Sequence, residues 1–137
     1  MTSLHVIENK ASAVRKYLGI LDIYKGRSQE EIESDATLRG AVERYLYLAV
    51  QATIDLAEAT IAYKHFRKPT TNRECFEILT ENGLIESDLA DRLIRMSAFR
   101  NLLAHAYDRI DYGIVVEVLS GSLPDLAQFL GAIERVD

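Results

Sequence analysis

Four side chains in one short stretch of this sequence carry chemistry: Arg100, Asn101, His105 and Tyr107. They place a guanidinium, an amide, an imidazole and a phenol within two helical turns, among residues that are otherwise small or aliphatic. On a helix that advances roughly 100° and 1.5 Å per residue, Arg100 and Tyr107 are nearly eclipsed, and Asn101 and His105 lie one turn apart about 100 to 140° around. All four fit within a little under half the circumference, so they can converge on one ligand of phosphate size. A forked, permanently charged donor suits the nonbridging oxygens of a phosphodiester, and an imidazole moves a proton near neutral pH. Arg100 and His105 are therefore the candidate catalytic pair, with Asn101 and Tyr107 supporting them. That chemistry calls on no metal ligand set.

The same spacing carries a plainer reading. Leu89, Leu93, Met96, Leu103 and Ile110 recur at intervals built from 3 and 4, and Phe99, Leu102 and Ala106 widen the stripe to a core-facing width. Arg100 and Tyr107 fall on its edge, while Asn101 and His105 point further outward. Tyr107 can then be a core-edge aromatic with its hydroxyl in water, Arg100 a snorkelling side chain and His105 a surface residue. Spacing alone leaves both readings open.

The elements that must hold this stretch are helical from one end of the chain to the other. Leu4, Ile7, Ala11, Val14, Leu18 and Leu21 predict a first helix of about 20 residues that ends near Lys25 and Gly26. Ser28 and Glu31 have capping-box spacing and open a short turn of helix. It leads into the longest element, about Ala36 to Phe66, which Pro69 stops. That element carries two stripes, Leu38, Val42, Tyr45, Ala49, Ala52, Leu56, Ala59, Tyr63 and Leu46, Val50, Ile54, Ala57, Ile61, which imply contacts on two sides. Thr71 and Glu74 predict a second capping box, for a short helix ending at Asn82 and Gly83. Ser87 or Asp88 can cap the motif helix, and Asp111 the last one, where Pro124 should kink or interrupt the pattern with Gly121 and Ser122 easing the bend. No alternating strand pattern, repeat or linker interrupts the series. The expectation is all-α: an up-and-down bundle of four long helices plus a short fifth, one domain over residues 1–137.

Composition bounds the function. With 137 residues and 48% hydrophobic content, the chain has enough apolar material for one core. No apolar run approaches the roughly 20 residues that span a bilayer, and Met1 to Lys10 lacks the pattern of a signal peptide, so a cytoplasmic protein with no membrane partner is expected. Cys75 has no partner for a disulfide and is expected to be a small buried filler. A net charge of −5 argues against a general nucleic-acid coat. Local sign differs: Arg92, Arg95, Arg100 and Arg109 stand against Asp108, and Lys64, His65, Arg67, Lys68 and Arg73 form a second basic run. That run can contact RNA, or it can simply complement the end of a long helix. His5, ahead of the first helix, reads as a solvent residue and His65 as part of a helix end. Neither has a histidine or cysteine at ligand spacing, so no metal and no cofactor is expected.

The arginine, the polar residue after it, four residues to a histidine and a tyrosine two further on resemble the signature of the HEPN superfamily of ribonucleases. More narrowly, the chain resembles the HepT toxins of toxin–antitoxin pairs of the HepT/MntA type. Glu43, Arg44, Tyr45 and Leu46 through Gln51, Asp55 and Leu56 are similar to that family's second long helix, and Leu123, Pro124 and Leu126 to its last, so the resemblance covers roughly residues 4 to 135. It implies a metal-independent endoribonuclease toxin with RNA as substrate. Arg100 would stabilise charge on the phosphate, His105 would handle the proton, and Asn101 would orient the histidine or donate to phosphate.

Cleavage through the RNA 2′-hydroxyl wants both a proton acceptor and a proton donor, and the resemblance implies a homodimer whose motif helices form a composite cleft. The second stripe of the long helix, or the edge of the motif helix, could supply the apolar contact, unless the stripe is buried in its own bundle. The resemblance also implies a cognate nucleotidyltransferase antitoxin that transfers AMP to Tyr107, setting a phosphodiester beside Arg100 and His105 and blocking the cleft. The alternative is a non-catalytic helical subunit that binds a nucleotide or scaffolds a nucleotidyltransferase complex through the same polar cluster.

Overall fold

The computed structural model describes residues 4–105 and 110–136. Its elements are α1 (Leu4–Asp22), α2 (Gln29–Ser34), α3 (Ala36–Tyr63), α4 (Asn72–Glu81), α5 (Ser87–His105), α6 (Tyr112–Glu117), a π-helical stretch (Val118–Ser122) and α7 (Leu123–Glu134). There is no strand among the described residues. α6, the π stretch and α7 run on as one interrupted rod, so the long elements among the described residues number four, as the periodicity implies.

Local chemistry sets most boundaries. The Ser28 hydroxyl accepts from the Glu31 N–H at 3.1 Å, and the Glu31 carboxylate accepts from the Ser28 N–H at 3.2 Å, which closes the expected capping box. Asp35 caps α3 by accepting from the N–H groups of Thr37 and Leu38, and Asp111 caps α6 through Gly113. At α4 only half of the predicted box forms: Thr71 accepts from the Glu74 N–H, but the Glu74 carboxylate turns to Thr70. Ser87 is itself the first residue of α5 rather than its cap, and His5 stands inside the first turn of α1, exposed.

α3 stops before Pro69. Lys64 ends it, His65 takes a left-handed φ of 59°, and the Phe66 N–H reaches back to the Ile61 carbonyl at 3.1 Å. This is a Schellman closure, which terminates a helix without proline. Pro124 acts as expected, at the start of α7. The proline ring cannot donate to the preceding turn, and the chain widens there, with the Leu123 N–H bonding the Val118 carbonyl five residues back.

α1 and α7 pack on one side of α3, and α4 and α5 on another. The core includes Val42, Leu46, Val50, Ile54, Leu56, Phe76, Leu93, Leu126 and Phe129, with the Phe76 and Phe129 rings edge to face at 5.8 Å. Both stripes of α3 are consumed here, because Leu46, Val50, Ile54, Ala57 and Ile61 are as buried as Val42, Ala49 and Leu56. The second stripe therefore belongs to the bundle of its own chain. Cys75 is a buried filler, its thiol pushed up to about 11 chiefly by that burial. The joined rod Tyr112–Glu134, 23 residues containing an 18-residue stretch of mean hydropathy 1.2, is by length and composition alone long and apolar enough to cross a membrane, although no unbroken apolar run in it is that long. In this fold its Val115, Leu119, Leu126 and Phe129 fill the bundle.

Leu46→Ala should destabilise the protein by roughly 2–5 kcal/mol, the usual cost of emptying a core site. Urea unfolding should show that loss equally at low and high protein concentration. A loss that appears only where subunits associate would move the second stripe to a subunit contact.

Candidate functional site

On the side where α3 meets α5, α3 carries a row of polar residues four apart: Glu43, Tyr47, Gln51 and Asp55, each half-buried. A spacing of four drifts only slowly around a helix, so one neighbour sees them all. Arg100, on α5, lies against the middle of the row. Its Nη1 donates to Gln51 Oε1 at 2.7 Å, and the Gln51 amide nitrogen donates in turn to Asp55 Oδ1 at 2.9 Å. That second bond dictates which way round the Gln51 amide sits, since only its oxygen can face a guanidinium. Nη2 donates to the side-chain oxygen of Asn101. The Tyr47 ring lies 5.5 Å from the guanidinium, within cation–π range. Arg100 Nε is buried and has no hydrogen-bond partner among the described residues.

Two neutral amide oxygens and a ring hold Arg100, and it makes no ion pair among the described residues. The carboxylate of Asp55 reaches it only through Gln51. Arg92 is different, spending its charge on Asp125 at 2.9 Å. In the second basic run, Arg67 donates to Glu81 and Glu74, which raise its affinity for the proton, and Arg73 pairs with Glu77. Among the described arginines of these two runs, Arg100 is the one gripped in place with no carboxylate paired to it among the described residues.

His105 is the last residue of α5 and is exposed. It opens on a cavity of about 450 Å³ lined by Gly40, Glu43, Arg44, Tyr47, Leu103 and Ala104. Tyr47 is the common wall, touching Arg100 on one side and bounding the His105 cavity on the other. The structure thus joins Arg100 to Asn101 directly and to His105 across one ring. Asn101 does not orient His105; its oxygen serves Arg100, and its exposed NH2 has no partner among the described residues. Tyr107 lies outside the described residues.

In the sequence, Gln51 and Asp55 stand out only as points of family likeness, and Tyr47 carries no signal of its own. Their joint signal was present as a polar residue every fourth position on a helix that is otherwise apolar on two sides. Chemically, the arrangement can seat a phosphate on Arg100 and Asn101 with an imidazole nearby.

The sequence matches the family profile described as ribonuclease HepT-like over residues 10–133. An mRNA nuclease HepT of Shewanella oneidensis is 31% identical over 130 residues, 94% of this chain and 96% of that protein. A tRNA nuclease HepT of Aphanizomenon flos-aquae is 30% identical over 118 residues, 86% of this chain and 80% of that one. Among solved structures, a tri-AMPylated HEPN toxin of Shewanella oneidensis in complex with an MNT antitoxin superposes with a TM-score of 0.87 at 28% identity, covering 96% of this chain and 98% of that chain.

Proposed function

The chain belongs to the ribonuclease HepT-like family, and on that footing we propose that it is a metal-independent endoribonuclease toxin of a toxin–antitoxin pair, acting in the cytoplasm as a homodimer. The observation that carries this reading is the uncompensated guanidinium of Arg100, held by Gln51 and Asn101, one aromatic ring away from His105.

In the proposed reaction the RNA supplies its own nucleophile. His105 takes the proton of a 2′-hydroxyl, the 2′-oxygen bonds to the adjacent phosphorus, and the bond from phosphorus to the 5′-oxygen breaks, leaving a cyclic phosphate. The departing oxygen needs a proton, and the imidazole of a second protomer delivers it. Arg100, with the Asn101 amide, stabilises the charge that builds on the nonbridging oxygens. A guanidinium in that role does the electrostatic work that a divalent cation does in other nucleases. Since the second stripe of α3 is buried in its own bundle, the contact between protomers falls to the edge of α5, where Phe99 and Leu102 are half-buried.

Control follows from Tyr107, two positions beyond His105. A nucleotidyltransferase antitoxin, like the MNT partner of the Shewanella toxin, would transfer AMP from ATP to the Tyr107 oxygen with release of pyrophosphate. The new phosphodiester would then compete for the charge that substrate needs.

With chelator present the wild-type protein should cleave RNA, and Arg100→Ala or His105→Ala should lower the rate by roughly a hundredfold or more. Equal rates for all three would remove the assignment, and an inert protein that carries a bound nucleotide would mark a binding subunit instead. Incubation with a cognate nucleotidyltransferase and ATP should add the mass of AMP, and Tyr107→Phe should abolish the addition. Persistence of the label in that variant would show that another residue is the acceptor.

A further inference from the structure

The cavity beside His105 has walls of unlike chemistry: the Tyr47 ring, the Arg44 guanidinium, the Glu43 carboxylate and the bare backbone of Gly40. At about 450 Å³ it falls within the range of small-ligand sites, roughly 300–1,000 Å³. We propose that it seats one nucleotide flanking the cut, with the base against Tyr47, and that Glu43 accepts a hydrogen bond from the exocyclic amino group of adenine or cytosine, favouring those bases over guanine and uracil. The placement beside a cleaved bond rests on the RNase reading above, and the binding of the nucleotide does not.

Three features support the assignment. Arg44 lies 5.7 Å from the Tyr47 ring centroid and Arg100 5.5 Å, so the ring is flanked by cations. An aromatic face bordered by guanidinium groups is the platform on which single-stranded bases stack. Glu43 stands where it opposes the approach of a phosphate chain, a cost that is offset if it recognises something cationic or N–H-bearing. The Tyr112 hydroxyl donates to its Oε2 at 2.5 Å, and that phenol, pushed up to about 12 by burial and by the carboxylate, remains a donor at neutral pH. Oε2 is thereby fixed, and Oε1 has no partner among the described residues. A carboxylate oxygen accepts from the N6 amino group of adenine or the N4 amino group of cytosine but repels the O6 of guanine and the O4 of uracil. Finally, Gly40 sits in the interior of α3, where glycine weakens a helix, yet a Cβ built there meets nothing within 4 Å. The missing side chain keeps the cavity open.

Uncleavable 2′-O-methyl trinucleotides with each of the four bases at the centre give a readout that does not depend on catalysis. The wild-type protein should bind the adenine and cytosine forms at least roughly fivefold more tightly than the guanine and uracil forms. Glu43→Gln, whose amide also offers donors, should bring guanine and uracil level with adenine and cytosine. Gly40→Leu should weaken all four while leaving the thermal unfolding temperature no lower than in wild type. Equal affinity for all four bases in the wild type, no binding by any of them, or undiminished binding by Gly40→Leu would each overturn the proposal. RNA that remains uncut while this base selectivity holds would refute the nuclease reading and leave the nucleotide seat standing.

Discussion

A guanidinium that is to receive a phosphate must be held still without being neutralised. Arg100 meets both demands, because its two terminal nitrogens end on amide oxygens and its plane lies near a ring, while the nearest carboxylate in the hydrogen-bonded chain stands one amide away. A carboxylate in the place of Gln51 would grip more tightly and also cancel the charge. An apolar residue there would leave a half-buried cation without its bond. The amide is the compromise, and Asp55 behind it fixes the orientation that makes the compromise work.

The fold exists around that contact in a specific sense. α3 is long enough to bury one stripe against α1 and α7 and another against α4 and α5, and the polar row of Glu43, Tyr47, Gln51 and Asp55 runs beside them. Because both stripes are anchored in one core, the row cannot rotate away from α5. α5 is anchored in turn by Leu89, Leu93, Met96 and Leu103, all buried, and by the pair of Arg92 with Asp125 on α7. The site therefore inherits its precision from two rigid helices, which suits electrostatic stabilisation better than a loop does.

Much of this was legible in the sequence, and what was not has a physical pattern. Signals confined to one helix could be read: the caps at Ser28 and Asp111, the interruption at Pro124, the edge position of Arg100, and the outward position of His105. Signals that depend on another helix could not. Two apolar stripes on α3 imply two partners, yet periodicity is silent on whether a partner is the same chain or a second one, and only packing puts Leu46 and Ile54 inside the bundle. The end of α3 was assigned to Pro69 because proline is the visible breaker, whereas a left-handed His65 closes the helix first. One-turn spacing lets Asn101 either orient His105 or donate to phosphate, and only packing shows its oxygen taken by the adjacent Arg100, with the NH2 left for an anion. Gln51 and Tyr47 are ordinary half-buried residues until α5 is laid across them.

The most direct measurement of the central claim is the cleavage efficiency of Gln51→Glu, set beside its thermal stability. The substitution keeps the shape and the acceptor facing Arg100, gives up the donor to Asp55, and adds a negative charge against the guanidinium. If the uncompensated guanidinium is what meets the phosphate, kcat/KM should fall by roughly tenfold or more while stability is maintained. Unchanged kcat/KM in a folded Gln51→Glu protein would contradict the account.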